Sequence, residues 1–82
     1  NNSGKQIINQ LLDRKYYDNY TNVDEWEENK AVMTAIQISS RLNEPIFKKN
    51  LVSLAMYDLN MDIRNAAIKV LKTIYNIEIS NG

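Results

Sequence analysis

The sequence predicts an all-α fold in which four helices form two antiparallel hairpins. Apolar residues recur at spacings of three and four along most of the chain, as they do on one face of an α-helix. No segment alternates apolar and polar residues for long enough to build a sheet, and the nearest candidate is residues 77–79. The polar breaks between periodic segments are about three to four residues long, a length typical between antiparallel neighbouring helices.

The first two predicted helices lie on either side of a polar break at residues 21–24. The first starts after Ser3 and runs to about Tyr20. The second starts near Asp24, because carboxylates crowd its first turn, where the partial positive charge of a helix start favours them. It closes at residues 43–44. Its predicted inner face consists of Glu28, Ala31, Ala35, Ile38 and Leu42, widened by Val32 and Ile36.

The third and fourth predicted helices follow the only proline. Pro45 suits the first position of a helix and begins the third. Its two apolar faces lead us to expect packing on two sides; one holds Phe47, Leu51, Leu54 and Ala55, and the other Val52, Met56 and Leu59. Asn60 is the expected cap of the fourth helix. The apolar face of that helix holds Ile63, Ala66, Ala67, Val70, Leu71 and Ile74.

The composition excludes much catalytic chemistry. The 82 residues contain neither cysteine nor histidine, which excludes thiol nucleophiles, thiolate zinc sites and imidazole bases. The two glycines, Gly4 and Gly82, lie at opposite ends, so a glycine-rich phosphate loop is excluded as well. We therefore expect no enzymatic activity, no metal and no cofactor.

Length and apolar content also indicate where such a chain acts. A chain of 82 residues forms one small domain, residues 1–82, and we expect it to be a fragment of a longer protein because it does not begin with methionine. No apolar run approaches the ~20 residues of a membrane span. The lack of cysteine fits a reducing compartment. We expect an intracellular, cytoplasmic protein with no membrane partner.

The second half of the chain carries a more particular pattern. It comprises Pro45, Ile46, Phe47, Leu51, Leu54, Asp58, Asp62, Ile63, Arg64, Ala67, Leu71 and Ile74. Over about residues 45–77 this pattern resembles a HEAT repeat, a unit of α-solenoid scaffolds. The resemblance implies a structural ladder in which Asp58 and Arg64 bond between neighbouring repeats. Arg64 would then face a carboxylate of the preceding hairpin, Asp13 or one within residues 24–28. The alternative is a solvated arginine near a helix start, with Asp58 as its local partner if it has one.

Three surfaces are candidates for partner binding. Trp26 lies among acidic residues, so it would anchor a partner while Glu27 and Glu28 steer a basic one, or it simply covers a charged helix start. The second surface consists of Tyr16, Tyr17 and Tyr20, which either pack at the edge of the core or contact the partner. The second face of the third helix is a candidate exposed seam. The full candidate set is Trp26, Glu27, Glu28, Tyr17, Tyr20, Val52 and Met56.

The sequence thus favours a non-catalytic protein–protein interaction or scaffold module. Its partner would be another protein or neighbouring repeats of its own parent chain, with a homo-oligomer as a further option. One alternative is binding to a nucleic-acid backbone through Lys48, Lys49, Lys69 and Lys72. The overall balance of 10 basic and 10 acidic residues gives no general attraction to nucleic acid, which disfavours that alternative. Another is a small regulatory or immunity-type protein.

Overall fold

The computed structural model describes residues 2–20 and 22–79, and it confirms the all-α fold. In chain order the elements are α1 (Asn2–Leu11), a 3-10 segment (Arg14–Asn19), α2 (Glu25–Leu42), a 3-10 turn (Pro45–Phe47), α3 (Lys48–Tyr57) and α4 (Met61–Thr73). Neither described range contains a strand. Among the helices described, none is both long enough and apolar enough to cross a membrane. The predicted start after Ser3 falls inside α1, and the Ser3 side chain lies outside the described residues.

The first helix is shorter than the sequence predicts, since α1 ends at Leu11 rather than near Tyr20. Asp13 caps the 3-10 segment that follows, because its carboxylate accepts a hydrogen bond of 3.0 Å from the backbone N–H of Lys15. The Tyr17 hydroxyl donates to the carbonyl of Leu11 at 2.6 Å. That bond gives a donor to a carbonyl in the last turn of α1, where the helix itself supplies no N–H partner.

Helix α2 begins and ends close to where the sequence predicts. The Asp24 side chain accepts from the backbone N–H of Glu27 at 2.8 Å and caps its start. Asn43 ends the helix in the left-handed region, with φ of 50°, a conformation that asparagine adopts more readily than most residues.

The inner face of α2 differs from the predicted one by about one position. The buried residues are Val32, Ala35, Ile36 and Ser39, whereas Leu42 is about half exposed. Helix α2 contacts α1 and also α4, so its line of burial lies between two neighbours. The sequence pattern does not show that α2 packs against both α1 and α4. The Ser39 carbonyl accepts a hydrogen bond of 2.9 Å from the Tyr75 hydroxyl, which joins the end of α2 to the segment after α4.

Helices α3 and α4 form the most extensive helix pair in the molecule. The first predicted face of α3 is buried, as is the centre of the predicted face of α4; these residues are Phe47, Leu51, Leu54, Ala55, Ile63, Ala67 and Leu71. Asn60 caps α4 as predicted, since its side-chain oxygen accepts from the backbone N–H of Ile63 at 3.1 Å. The second face predicted for the third helix is a correction, because only Val52 packs against the core: Met56 is exposed, and Leu59 is exposed beyond the end of α3.

The first hairpin (α1 to α2) and the second hairpin (α3 and α4) lie side by side. Helix α2 contacts α4, and α1 contacts the 3-10 turn that precedes α3. The Asn50 side-chain amide also donates at 3.0 Å to the backbone carbonyl and to the side-chain oxygen of Asn9. The molecule is flat, with Cα extents of 36 × 35 × 15 Å. This arrangement brings the end of α1 next to the turn between α3 and α4.

Candidate functional site

The guanidinium of Arg14 joins the two hairpins. Arg14 opens the 3-10 segment, and its Nε donates to Oδ1 of Asp58 at 2.7 Å while Nη2 donates to Oδ2 at 3.0 Å. Asp58 ends α3 and is only 8% exposed. A two-pronged arginine–carboxylate contact of this kind fixes orientation as well as distance. It therefore sets the position of the α3–α4 turn against the first hairpin.

Arg14 also binds the start of α2. Its Nη1 donates to Oε2 of Glu28 at 2.7 Å, and Nη2 donates to the side-chain oxygen of Asn29 at 2.8 Å. The hydrogen bond with Asp58, and then that with Glu28, raises the pKa of Arg14 above its ordinary value, although partial burial acts in the opposite direction. We call Arg14, Glu28, Asn29 and Asp58 the Arg14 cluster.

The Arg14 cluster corrects the predicted ladder. Asp58 bonds to the preceding hairpin, but its partner is Arg14 and not Arg64, which forms no ion pair within the part of the chain described. Asp58 also accepts from the backbone N–H of Asn60 at 3.0 Å, which helps to hold its carboxylate at the turn. Because the predicted first helix runs through Arg14, the sequence does not distinguish this arginine from other residues on a helix surface. A polar break recognised at Asp13 would have drawn attention to the arginine that follows.

A groove of about 760 Å³ lies beside the Arg14 cluster, between the two hairpins. The segment after α1 (residues 12–15) and the start of α2 contribute one side, and α3 with the α3–α4 turn contributes the other. We call it the hairpin groove. Five carboxylates and two cationic side chains line it, and the carboxylates are Asp13, Glu25, Glu28, Asp58 and Asp62.

The groove carries an excess of negative charge. Arg14, one of its two cations, is already bonded to Asp58 and Glu28. Within residues 2–20 and 22–79, no ion pair involves the other three lining carboxylates. No group of three acidic side chains in the described chain is placed to hold a metal ion.

Exposed apolar side chains stand on the second-hairpin side of the groove. Tyr57 is 73% exposed, Leu59 100% and Met61 63%. Single exposed apolar residues are ordinary on a protein surface, whereas large contiguous apolar patches mark interaction sites. Met56, which the sequence placed at an exposed seam, is exposed immediately before this run. Sequence reasoning missed the run because Leu59 matched an apolar helix face.

Most of the other predicted partner-binding residues lie outside the groove. Trp26 is 68% exposed, and the Lys30 ammonium lies 4.9 Å from the centre of its ring. Glu27 is exposed beside it. Glu28 does line the groove, but it binds Arg14 and so is not a free steering charge. Trp26 does not line the groove, although the adjacent residue Glu25 does.

The predicted tyrosines divide between core and surface. Tyr17 follows the core alternative and not the partner-binding one, because it is only 6% exposed and belongs to the core. Burial, and then the nearby Glu28 carboxylate, raises the pKa of Tyr17 to about 12, while Arg14 acts in the opposite direction. Tyr20 is about half exposed, and its hydroxyl donates to that of Tyr16 at 3.0 Å.

The four lysines of the nucleic-acid alternative are all exposed. Lys48 and Lys49 begin α3, and Lys69 and Lys72 lie in the second half of α4. Because α3 and α4 are antiparallel, these lysines lie at the end of the hairpin away from its turn. The Lys72 ammonium lies 4.0 Å from a carboxylate oxygen of Glu78. Positive and negative surfaces therefore occupy opposite ends of the second hairpin.

Comparisons with protein-family models, with curated proteins and with solved structures found no match for this chain. The HEAT resemblance of residues 45–77 accordingly stays a prediction.

Proposed function

We propose that this chain is a non-catalytic protein–protein interaction module that binds its partner in the hairpin groove. The observation that carries the proposal is the run of exposed apolar side chains, Tyr57, Leu59 and Met61, on one side of a charged groove. Water leaves such side chains when a partner covers them, and this release favours association. Covering one leucine side chain contributes about 1.5–3 kcal/mol.

The Arg14 cluster supports this proposal because it holds the groove in shape. Arg14 bonds to the α3–α4 turn through Asp58 and to α2 through Glu28. A preformed site spares the partner the cost of ordering the surface on binding. The HEAT resemblance points to the same class of function, a scaffold built from stacked helical hairpins. We place its activity in the cytoplasm, since a chain without cysteine suits a reducing compartment.

The nucleic-acid alternative has weaker support. Its four lysines lie on the end of the hairpin away from the groove, and Lys72 already has Glu78 nearby. Binding there would leave the exposed apolar run uncovered. Phosphate-binding proteins concentrate more positive charge on one face than this balanced chain does.

Quantitative affinity capture tests the proposal. Tagged wild-type protein is compared with Leu59→Ser in the groove and with Leu42→Ser at the end of α2, a matched change of a half-exposed leucine. We expect Leu59→Ser to lower recovery of the bound partner about fivefold or more, since it removes a buried apolar contact. Leu42→Ser should leave recovery unchanged, with circular dichroism confirming that both variants fold. Equal recovery by Leu59→Ser, or recovery abolished by nuclease, would overturn the proposal.

A further inference from the structure

We infer that the occupant of the hairpin groove is a positively charged amphipathic segment of another protein. This inference rests on the proposed function and names the chemistry of its partner. The apolar side of the segment covers Tyr57, Leu59 and Met61, and its lysine or arginine side chains face the lining carboxylates. Three features of the groove lead to this occupant.

The first feature is the unpaired negative charge. Asp13, Glu25 and Asp62 line the groove without an ion-pair partner in the described chain, and Lys15 is the one lining cation whose side chain forms no ion pair there. An acidic occupant would meet like charges, which oppose association, whereas a basic occupant is attracted and oriented. The charge of the groove therefore selects a cationic partner.

The second feature is the difference between the two sides of the groove. The second hairpin contributes the apolar run, and the first hairpin contributes charged residues such as Asp13 and Glu25. A uniformly basic segment would leave Leu59 exposed to water. A uniformly apolar segment would take carboxylates out of water without pairing them, which is costly. A segment that is apolar on one side and basic on the other satisfies both sides.

The third feature is that the carboxylates of the Arg14 cluster are already bonded within the protein. Both oxygens of Asp58 accept from Arg14, and Glu28 accepts from it too, so these two carboxylates serve the protein itself. The exposed carboxylates of Glu25 and Asp62 remain for the partner. Removing those two charges should weaken binding without loosening the hairpins.

Fluorescence anisotropy with synthetic peptides tests the inference. The probe is a labelled Leu/Lys peptide of about 14 residues, roughly four turns, with leucines at helical spacing. A Leu/Glu peptide of the same spacing and a scrambled Leu/Lys peptide serve as comparisons. We expect the patterned Leu/Lys peptide to bind more tightly than either, and increasing salt to weaken its binding.

Two double variants with the same change of charge locate the binding. Glu25→Gln with Asp62→Asn alters the groove, whereas Glu27→Gln with Asp18→Asn alters exposed acids outside it. We expect the groove pair to weaken Leu/Lys binding about threefold to tenfold and the outside pair less than about twofold. Equal weakening by both pairs would overturn the inference, because it would show attraction to the whole surface. Equal affinity for the scrambled or Leu/Glu peptide would overturn it as well.

The affinity capture and the peptide-binding experiment test different claims, so either can fail without the other. Capture that depends on Leu59, combined with no binding of the Leu/Lys peptide, would reject the basic amphipathic partner and keep the groove as a docking site. Capture that does not depend on Leu59 would reject the docking site itself. Capture that depends on Leu59, together with groove-dependent peptide binding, supports both.

Discussion

Arg14 connects residues that are far apart in the chain. Its four hydrogen bonds reach Glu28, Asn29 and both oxygens of Asp58, which lies 44 positions away. Asp58 is nearly buried, so without Arg14 its charge would keep little more than the backbone N–H of Asn60. Leaving a buried charge unpaired costs far more than an exposed ion pair contributes. Stability should therefore depend on this one side chain.

Replacement of Arg14 tests that dependence. Arg14→Met keeps much of the aliphatic length and removes the guanidinium, and we expect it to lower the free energy of unfolding by about 2–3 kcal/mol. Arg64→Met is the matched control, because Arg64 is half-buried and forms no ion pair in the described chain; it should cost less than about 1 kcal/mol. Urea unfolding followed by circular dichroism measures both. Equal losses would show that Arg14 has no special function.

Tyr17 should make stability fall at high pH. Its pKa in the folded protein is about 12, above the ~10 of an exposed tyrosine, so the folded state holds the phenolic proton more tightly. The resulting stabilisation is complete below pH ~10 and is lost as the pH rises toward ~12. We expect wild type to lose about 1–2 kcal/mol more than Tyr17→Phe between pH ~9 and ~12. Parallel stability curves, measured by urea unfolding, would contradict this.

The sequence identified Asp58 as a candidate ladder residue and Glu28 as a candidate partner-binding residue. It did not identify Arg14, to which both carboxylates bond. The apolar spacing before Tyr16 continues across residues 12 and 13, so periodicity alone makes Arg14 a residue on a helix surface. The Tyr17 hydroxyl bonds to the Leu11 carbonyl, six residues away, whereas the Arg14 guanidinium bonds to Asp58, which only the fold brings near. The local sequence pattern carries no record of the Arg14–Asp58 contact.

At the level of elements, the starts of α2 and α4 were the most predictable features, whereas α1 begins before the predicted start and Pro45 begins a 3-10 turn ahead of α3. Asp24 and Asn60 were both expected near the starts of helices, and both accept the hydrogen bond that a cap requires. Capping depends on residues three positions apart, so the sequence contains all of the information. The inner face of α2 was less predictable, because its position depends on contacts with both α1 and α4.

The Asn60 cap provides a test at this scale. Asn60→Ala removes the acceptor for the backbone N–H of Ile63, and we expect it to cost about 1 kcal/mol of stability. Asn65→Ala is the same change at an exposed position inside α4, where alanine favours the helix by up to about 0.7 kcal/mol. The two variants should therefore shift the thermal unfolding midpoint in opposite directions. A loss from Asn65→Ala as large as that from Asn60→Ala would refute the assignment of the cap.

For the whole molecule, a balanced net charge conceals a separation of charge. The 10 basic and 10 acidic residues cancel, yet the charged side chains that line the hairpin groove are mainly carboxylates, and the far end of the second hairpin carries exposed lysines. The sequence predicted the all-α fold from periodicity and loop length. It did not predict the groove, because the groove forms where two distant turns meet. The proposed function therefore depends on a surface that only the packed molecule has.

An NMR titration of the isotope-labelled protein with the patterned Leu/Lys peptide tests the central claim most directly. We expect backbone amide shifts to concentrate on the groove, at residues 13–15, 25–29 and 57–62, and to weaken as salt is added. Residues 48–49 and 69–72, at the opposite end of the second hairpin, should stay unchanged. Shifts spread evenly over the surface, or concentrated on those lysine-bearing segments, would contradict the assignment of the hairpin groove as the binding site.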